Sequence, residues 1–149
     1  MRRRSLHRVR SERGAALLEA AITLPLLLLV AMGIIEFGRA YQTWQVLTNA
    51  AREGARVAVL PGTNDAAVAD RVQDYLEAGQ LPAAADATVT ITRNNVIANG
   101  VGNATGSTVV VTYPFEFIVL QPVARLVVQG STIGQSLPMT TSATMRNES

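Results

Sequence analysis

The sequence has no cysteine and no lysine, and its single histidine is His7. Without cysteine there are no disulfides, thiolate metal sites or thiol nucleophiles. Without lysine there is no Schiff-base chemistry and no lysine contact to a bound phosphate. Charge is scarce as well, at 16% of 149 residues, where soluble domains carry about 25%. Aromatic residues make up only 5%. Hydrophobic residues reach 48%, which excludes a disordered chain and points to a membrane segment. Ser107, Ser131, Ser136 and Ser142 have no base to activate them, and the carboxylates are scattered singly. No catalytic, cofactor or metal site is therefore expected, and the chain reads as a non-enzyme of one-domain length.

What charge there is lies unevenly. Arg2, Arg3, Arg4, Arg8, Arg10 and Arg13 face one acid, Glu12, so residues 1–14 carry net +5, and everything from Ala15 onward sums to −3. A basic leader is either a nucleic-acid arm or a membrane-topology signal. The apolar run behind it decides. Ala15 to Ile35 reads AALLEAAITLPLLLLVAMGII, 21 residues with one charge. As a helix it is ~31 Å long, the thickness of a bilayer's hydrocarbon core. Arginines crowd its N-terminal side, while Glu36 and Arg39 nearly cancel on the other. The positive-inside rule then predicts a single-pass protein with a cytoplasmic N-terminus and an extracytoplasmic C-terminal domain. No nucleic-acid partner is expected. A buried helix in a soluble protein fits poorly, because the remaining chain could hardly enclose a helix apolar on all sides.

Glu19 is the one charge in that run. A carboxylate within a membrane costs ~2.5–3.5 kcal/mol, which marks it for function; the bland alternative is a side chain that snorkels to the interface. Pro25 removes a helix donor and clashes with the carbonyl of Ala21, so a kink is expected there. A basic leader, a glycine, then an apolar helix with glutamate at its fifth position resembles the class III (prepilin) signal peptide. That resemblance implies cleavage by prepilin peptidase between Gly14 and Ala15, on the cytoplasmic side. It also implies that the new amine of Ala15 is neutralised by Glu19 of a neighbouring subunit. Flp-type pilins usually carry tyrosine after this glutamate; Ala20 stands here.

Beyond the run, Phe37, Tyr41, Trp44, Thr48, Ala51, Ala55 and Ala58 recur every three or four residues, as on one helix face. Aromatics come first, where an interfacial belt belongs, and small residues follow, which invite close packing against the chain's own domain or a sister helix. Pro61-Gly62 ends the pattern, so the run and this segment form one helix of about 45 residues. Four elements in this stretch carry a specific likeness: Arg13-Gly14 with Glu19, Leu24-Pro25, Gly33 to Arg39, and Leu47 to Arg56. Together they resemble the TadE/TadG-like family of the tight-adherence (Flp) pilus machinery, over residues 15–60. The resemblance implies a minor pseudopilin of type IVb-like pilus assembly, in the bacterial inner membrane and serving cell adhesion. Its implied partners are membrane lipid, other pilin or pseudopilin subunits and the assembly platform, with Glu19 and Pro25 in helix packing. The residues leave open whether Arg52, Glu53 and Arg56 form a partner-docking face or a solvated one with i,i+3 pairing.

The fold class expected is α+β: a long N-terminal transmembrane helix continuing into a pilin-like domain with a small antiparallel sheet. Four segments follow: a leader at 1–14, the span at 15–36, its extracytoplasmic continuation at 37–60, and an α+β domain at 61–149. Asn64 or Asp65 caps a helix through Ala78, with Val68, Val72, Tyr75 and Leu76 inward and Gly79 at its C′ position. Strands are expected at 87–93, 107–117 and 136–146. Residues 94–106 are expected as a long hairpin loop, Pro114 as the end or bulge of a strand, and 118–128 as a short helix interrupted by Pro122. A different class of reading is a signal-anchored or secreted binding module unrelated to pili, with a cleavage site after Ala40 in the secreted case.

Overall fold

The structure is a computed structural model that describes residues 6–98, 103–127 and 136–147. Its first element is a single helix, α1, Leu6–Ala58, which runs through Pro25 and through the expected boundaries at 14 and 36 without a break. Every residue from Arg13 to Ala31 is exposed. From Glu36 onward one side of α1 is covered by the rest of the chain.

The covering elements are α2 (Asp65–Ala78), a 3-10 turn at Ala84–Asp86, and strands β1 (Thr88–Ala98), β2 (Asn103–Phe115) and β3 (Leu137–Arg146), with α3 (Leu120–Val127) between the last two. The strands form one antiparallel sheet in the order β1-β2-β3. The fold is thus α+β, with a long apolar N-terminal helix and a small antiparallel sheet.

The core lies where α1 meets α2 and the sheet. Leu47, Ala50, Ala51, Ala55 and Ala58 of α1 pack with Val68, Val72 and Leu76 of α2 and with Val109, Val111, Tyr113 and Phe115 of β2. Small residues on α1 set how closely these elements approach. A Cβ on Gly54 would stand 2.5 Å from Cγ2 of Val72 and 3.2 Å from Cγ1 of Val109. The small-residue stretch therefore packs against the chain's own domain.

The buried line on α1 differs from the face expected. Phe37, Tyr41 and Trp44 are exposed, while Glu36, Thr43, Leu47, Ala51, Ala55 and Ala58 are buried. Phe37 and Ala55 are 18 residues apart, five full turns, and so share one side of α1. What differs is the cover, since Val72 of α2 and Val109 of β2 close over the helix at Gly54.

Asn64 caps α2, its Oδ1 accepting the N–H of Ala67 at 2.8 Å. At the other end the left-handed residue is Gln80 (φ 55°), one beyond the glycine expected there. The N–H of Gln80 reaches the carbonyl of Glu77, and that of Leu81 reaches Leu76, the pairing of a Schellman end. Gly79 answers a different demand, since a Cβ on it would lie 2.5 Å from Cγ1 of Val46 on α1.

The β1–β2 hairpin is longer than the sequence suggests. Asn95 to Ala98 pair with Asn103 to Gly106 after a register shift between Thr92 and Asn95, where Asn94 has a φ of 57°. Asparagine tolerates that conformation, so a polar stretch read as loop continues the ladder. Pro114 stands within β2, opposite Pro138 of β3. β1 stops at Thr88, which faces Thr112, so the missing N–H of Pro114 deprives no neighbouring strand. Pro122 lies in the first turn of α3, where an N–H has no partner within the helix, and does not interrupt it.

Candidate functional site

Glu36 is the first buried residue after the apolar run, and only 2% of it is exposed. Burying a carboxylate is costly unless its oxygens are met by donors. Here Oε1 accepts the N–H groups of Ile118 at 2.6 Å and Val119 at 3.0 Å, while Oε2 accepts that of Leu120 at 3.2 Å. These donors sit at the start of α3, where N–H groups have no partner within the helix and the dipole favours an anion. Glu36 thus caps a helix more than eighty residues away in sequence. Arg39, one turn on, approaches Oε1 at 3.5 Å. Its guanidinium also lies 5.4 Å from the centroid of the Phe115 ring.

Glu36 lies past the apolar run, against the folded domain. Burial opposes its ionisation, but the N–H groups of Val119, Leu120 and Ile118 and the Arg39 charge outweigh burial. Together they hold the carboxyl below its ordinary 4.5. Around it, Phe117 stacks edge-on with Phe37 at 6.0 Å and with Phe115 at 5.1 Å. An aromatic cluster and a capped carboxylate thereby join the end of the apolar helix to the end of β2.

The β2 strand runs down α1 toward this junction. Val109 lies beside Gly54, and Phe115 lies beside Arg39. β3 follows, its Thr141 hydroxyl donating to the carbonyl of Leu47 at 3.2 Å. At the far end Arg93 of β1 donates to the carbonyl of Ala58 at 2.8 Å and to Asp65 at 2.6 Å, tying the end of α1 to the start of α2.

Residues 14–56 match the family of TadE-like proteins. The chain carries a TadE-like region. No curated protein and no solved structure matches the chain. The TadE-like region starts at Gly14, spans the exposed apolar helix and includes Glu36, Leu47 and Gly54, so it covers both the bare and the packed parts of α1.

Within the TadE-like region the expected site residues fall into two groups. Gly14, Ala15, Glu19 and Pro25 all lie on the exposed stretch, and nothing stands within 4 Å of a Cβ built on Gly14. Arg52, Glu53 and Arg56 lie where the domain packs. Glu53 accepts both Nε and Nη2 of Arg71 of α2, at 3.2 and 2.9 Å, and meets Arg56 at 3.8 Å. Arg52 and Arg56 are exposed. The structure does not bring the two groups together: Glu19 and Glu53 are 34 positions apart on one helix, ~51 Å at 1.5 Å per residue. Sequence reasoning missed Glu36, seeing in it a charge that nearly cancels Arg39. The available signal was its position, a lone carboxylate at the end of a long apolar run.

Proposed function

We propose that this chain is a TadE-like minor pseudopilin, a non-enzymatic, membrane-anchored component of tight-adherence pilus assembly. The observation that carries the reading is the coincidence of the TadE-like region with α1. Among the described residues one helix is long and apolar enough to cross a membrane, and its continuation is the packing spine of a small domain. Such a helix anchors the chain and presents its domain.

In this reading the arginine-rich leader stays in the cytoplasm of a bacterial cell, α1 crosses the inner membrane once, and the sheet lies outside. Among the described residues nothing stands within 4 Å of a Cβ on Gly14, which favours a role in processing by prepilin peptidase at the Gly14–Ala15 bond. Glu19, bare on the apolar stretch, is left for a neighbouring pilin or pseudopilin helix. The secreted alternative fares worse. A cut after Ala40 would remove Glu36 and Arg39 and leave the N–H groups of residues 118–120 without their acceptor.

The test is genetic. In a host that carries a tight-adherence apparatus, deletion of this chain abolishes surface pili and adherence, and the full-length chain restores both. Normal piliation in the deletion strain refutes the reading.

A further inference from the structure

The domain's lower rim is placed by two independent rulers. From Gly54 to Glu36 is 18 residues of helix, ~27 Å at 1.5 Å per residue. From Val109 to Ile118 is nine residues of mostly extended chain, ~30 Å at 3.3 Å per residue. The two segments touch at both ends, since Gly54 meets Val109 and Glu36 meets the N–H of Ile118. β2 therefore runs nearly along the helix axis, straight toward the apolar run.

That geometry sets Ile118 level with Glu36, one residue after the run ends at Ile35. Leu137 pairs with Phe115 and belongs to the same rim. Both are apolar and exposed, Ile118 at 64% and Leu137 at 49%, beside Phe37 at 64%. The sequence of α3, which starts at this rim, is LQPVARLV. Five of its eight residues are Leu, Val or Ala, and Arg125 is its one charge. Of the two acids at this level, Glu36 is capped by three N–H groups and faces Arg39, while Glu116 is exposed.

We propose that this rim, formed by Ile118, Leu137 and α3 beside Phe37, rests in the headgroup layer of the bilayer that α1 crosses. The domain then holds the membrane through a second, peripheral contact and does not stand off it on a free stalk. The occupant is a phospholipid surface. The argument for it is level: Ile118 is hydrogen-bonded to Glu36, the residue directly after the apolar run, whose last members Ile34 and Ile35 are exposed. The proposal rests on the reading of Ala15 to Ile35 as a membrane span.

The natural chain has no cysteine, so single-cysteine variants can be labelled at one site. Full-length L27C, I118C, L137C and V96C, each carrying an environment-sensitive fluorophore, are reconstituted in phosphatidylcholine–phosphatidylglycerol vesicles. Quenching is compared between lipids with a nitroxide near the headgroup, lipids with one near the chain end, and aqueous iodide. The chain-end lipid quenches at Leu27. The headgroup-proximal lipid quenches at Ile118 and Leu137, at least about twofold more than at Val96, the exposed residue at the other end of the sheet. Iodide-only quenching at both rim positions, with Leu27 still quenched by lipid, overturns the rim contact alone. Protection of both from lipid and iodide alike overturns it in favour of a protein partner. Loss of lipid quenching at Leu27 overturns the membrane span and the proposal together.

Discussion

The carboxylate of Glu36 accepts the N–H of Ile118 at 2.6 Å across 82 positions of sequence. With Val119 and Leu120 as further donors, this contact fastens the start of α3 to α1 below the core that already joins the helix to α2 and the sheet. Here the start of α3 is clamped to the first turn after the apolar run.

Replacing Glu36 by alanine leaves three N–H groups facing a void. Unsatisfied buried donors cost about 1–3 kcal/mol each at most, with relaxation and water reducing the sum. A loss of about 2–4 kcal/mol is expected in full-length protein in detergent, read as a Tm lower by roughly 5–10 °C. An unchanged Tm would show that the cap does not hold the domain.

The same carboxyl gives a pH dependence with a definite sign. Its folded pKa lies below the ordinary 4.5, so the unfolded chain binds the proton more readily. The stability it contributes is complete above that ordinary value and is lost as pH falls through the folded one. Subtracting the Tm profile of Glu36→Gln from that of wild type isolates this group from the other carboxylates. The difference should be flat near neutrality and shrink on the acid side; a difference that grows on acidification contradicts the capped, ionised state.

Gly54 tests the spine. Alanine there gains helix propensity, ~1 kcal/mol, but its Cβ would sit 2.5 Å from Cγ2 of Val72. Overpacking costs about 1–3 kcal/mol, so Gly54→Ala should destabilise. Val72→Ala removes the colliding methyls, and the double variant should lose less than the two single losses added. Strict additivity in that cycle would place the two residues out of contact.

Glu53 and Arg71 form an exposed pair between α1 and α2, with side chains 23% and 51% exposed. Such pairs contribute about 0.2–1 kcal/mol, so Arg71→Ala should barely move the Tm. Arg52→Glu should leave it unchanged, and Arg56→Glu, which replaces a 3.8 Å pair with Glu53 by a like-charge one, should lower it only slightly. Their use lies in pull-downs: reduced recovery of pilus subunits by the reversed-charge variants identifies a partner face, and equal recovery identifies a solvated one.

Processing is checked by intact mass. Cleavage after Gly14 leaves a chain that begins AALLE with net charge −3 and keeps the whole apolar helix. Gly14→Phe should block that product and leave the domain's Tm unchanged, since nothing stands near this position. A native start at Tyr41 would instead establish secretion.

Much of the fold was legible because its signals are local. A 21-residue apolar run, an asparagine before a 3.6-residue pattern and alternating Val109, Val111 and Tyr113 each declare an element within a few residues. The TadE-like likeness is of the same kind, a contiguous block on one helix. By itself the sequence also determined that thiol and lysine chemistry are absent, since it has no cysteine and no lysine. What it could not reveal are relationships that depend on which face meets which. Phe37 and Ala55 lie on one side of α1, yet Phe37 is exposed and Ala55 buried, because α2 and β2 close over the helix at the level of Gly54. The left-handed end of α2 fell on Gln80 because Gly79 was needed for the approach of Val46. Above all, Glu36 shows nothing in sequence of its partners at residues 118–120. Their N–H groups lack acceptors only because α3 starts there, and α3 meets Glu36 only because β2 runs the length of the packed helix. Local propensities name the elements, but hydrogen bonds between distant segments exist only once the core has set the register.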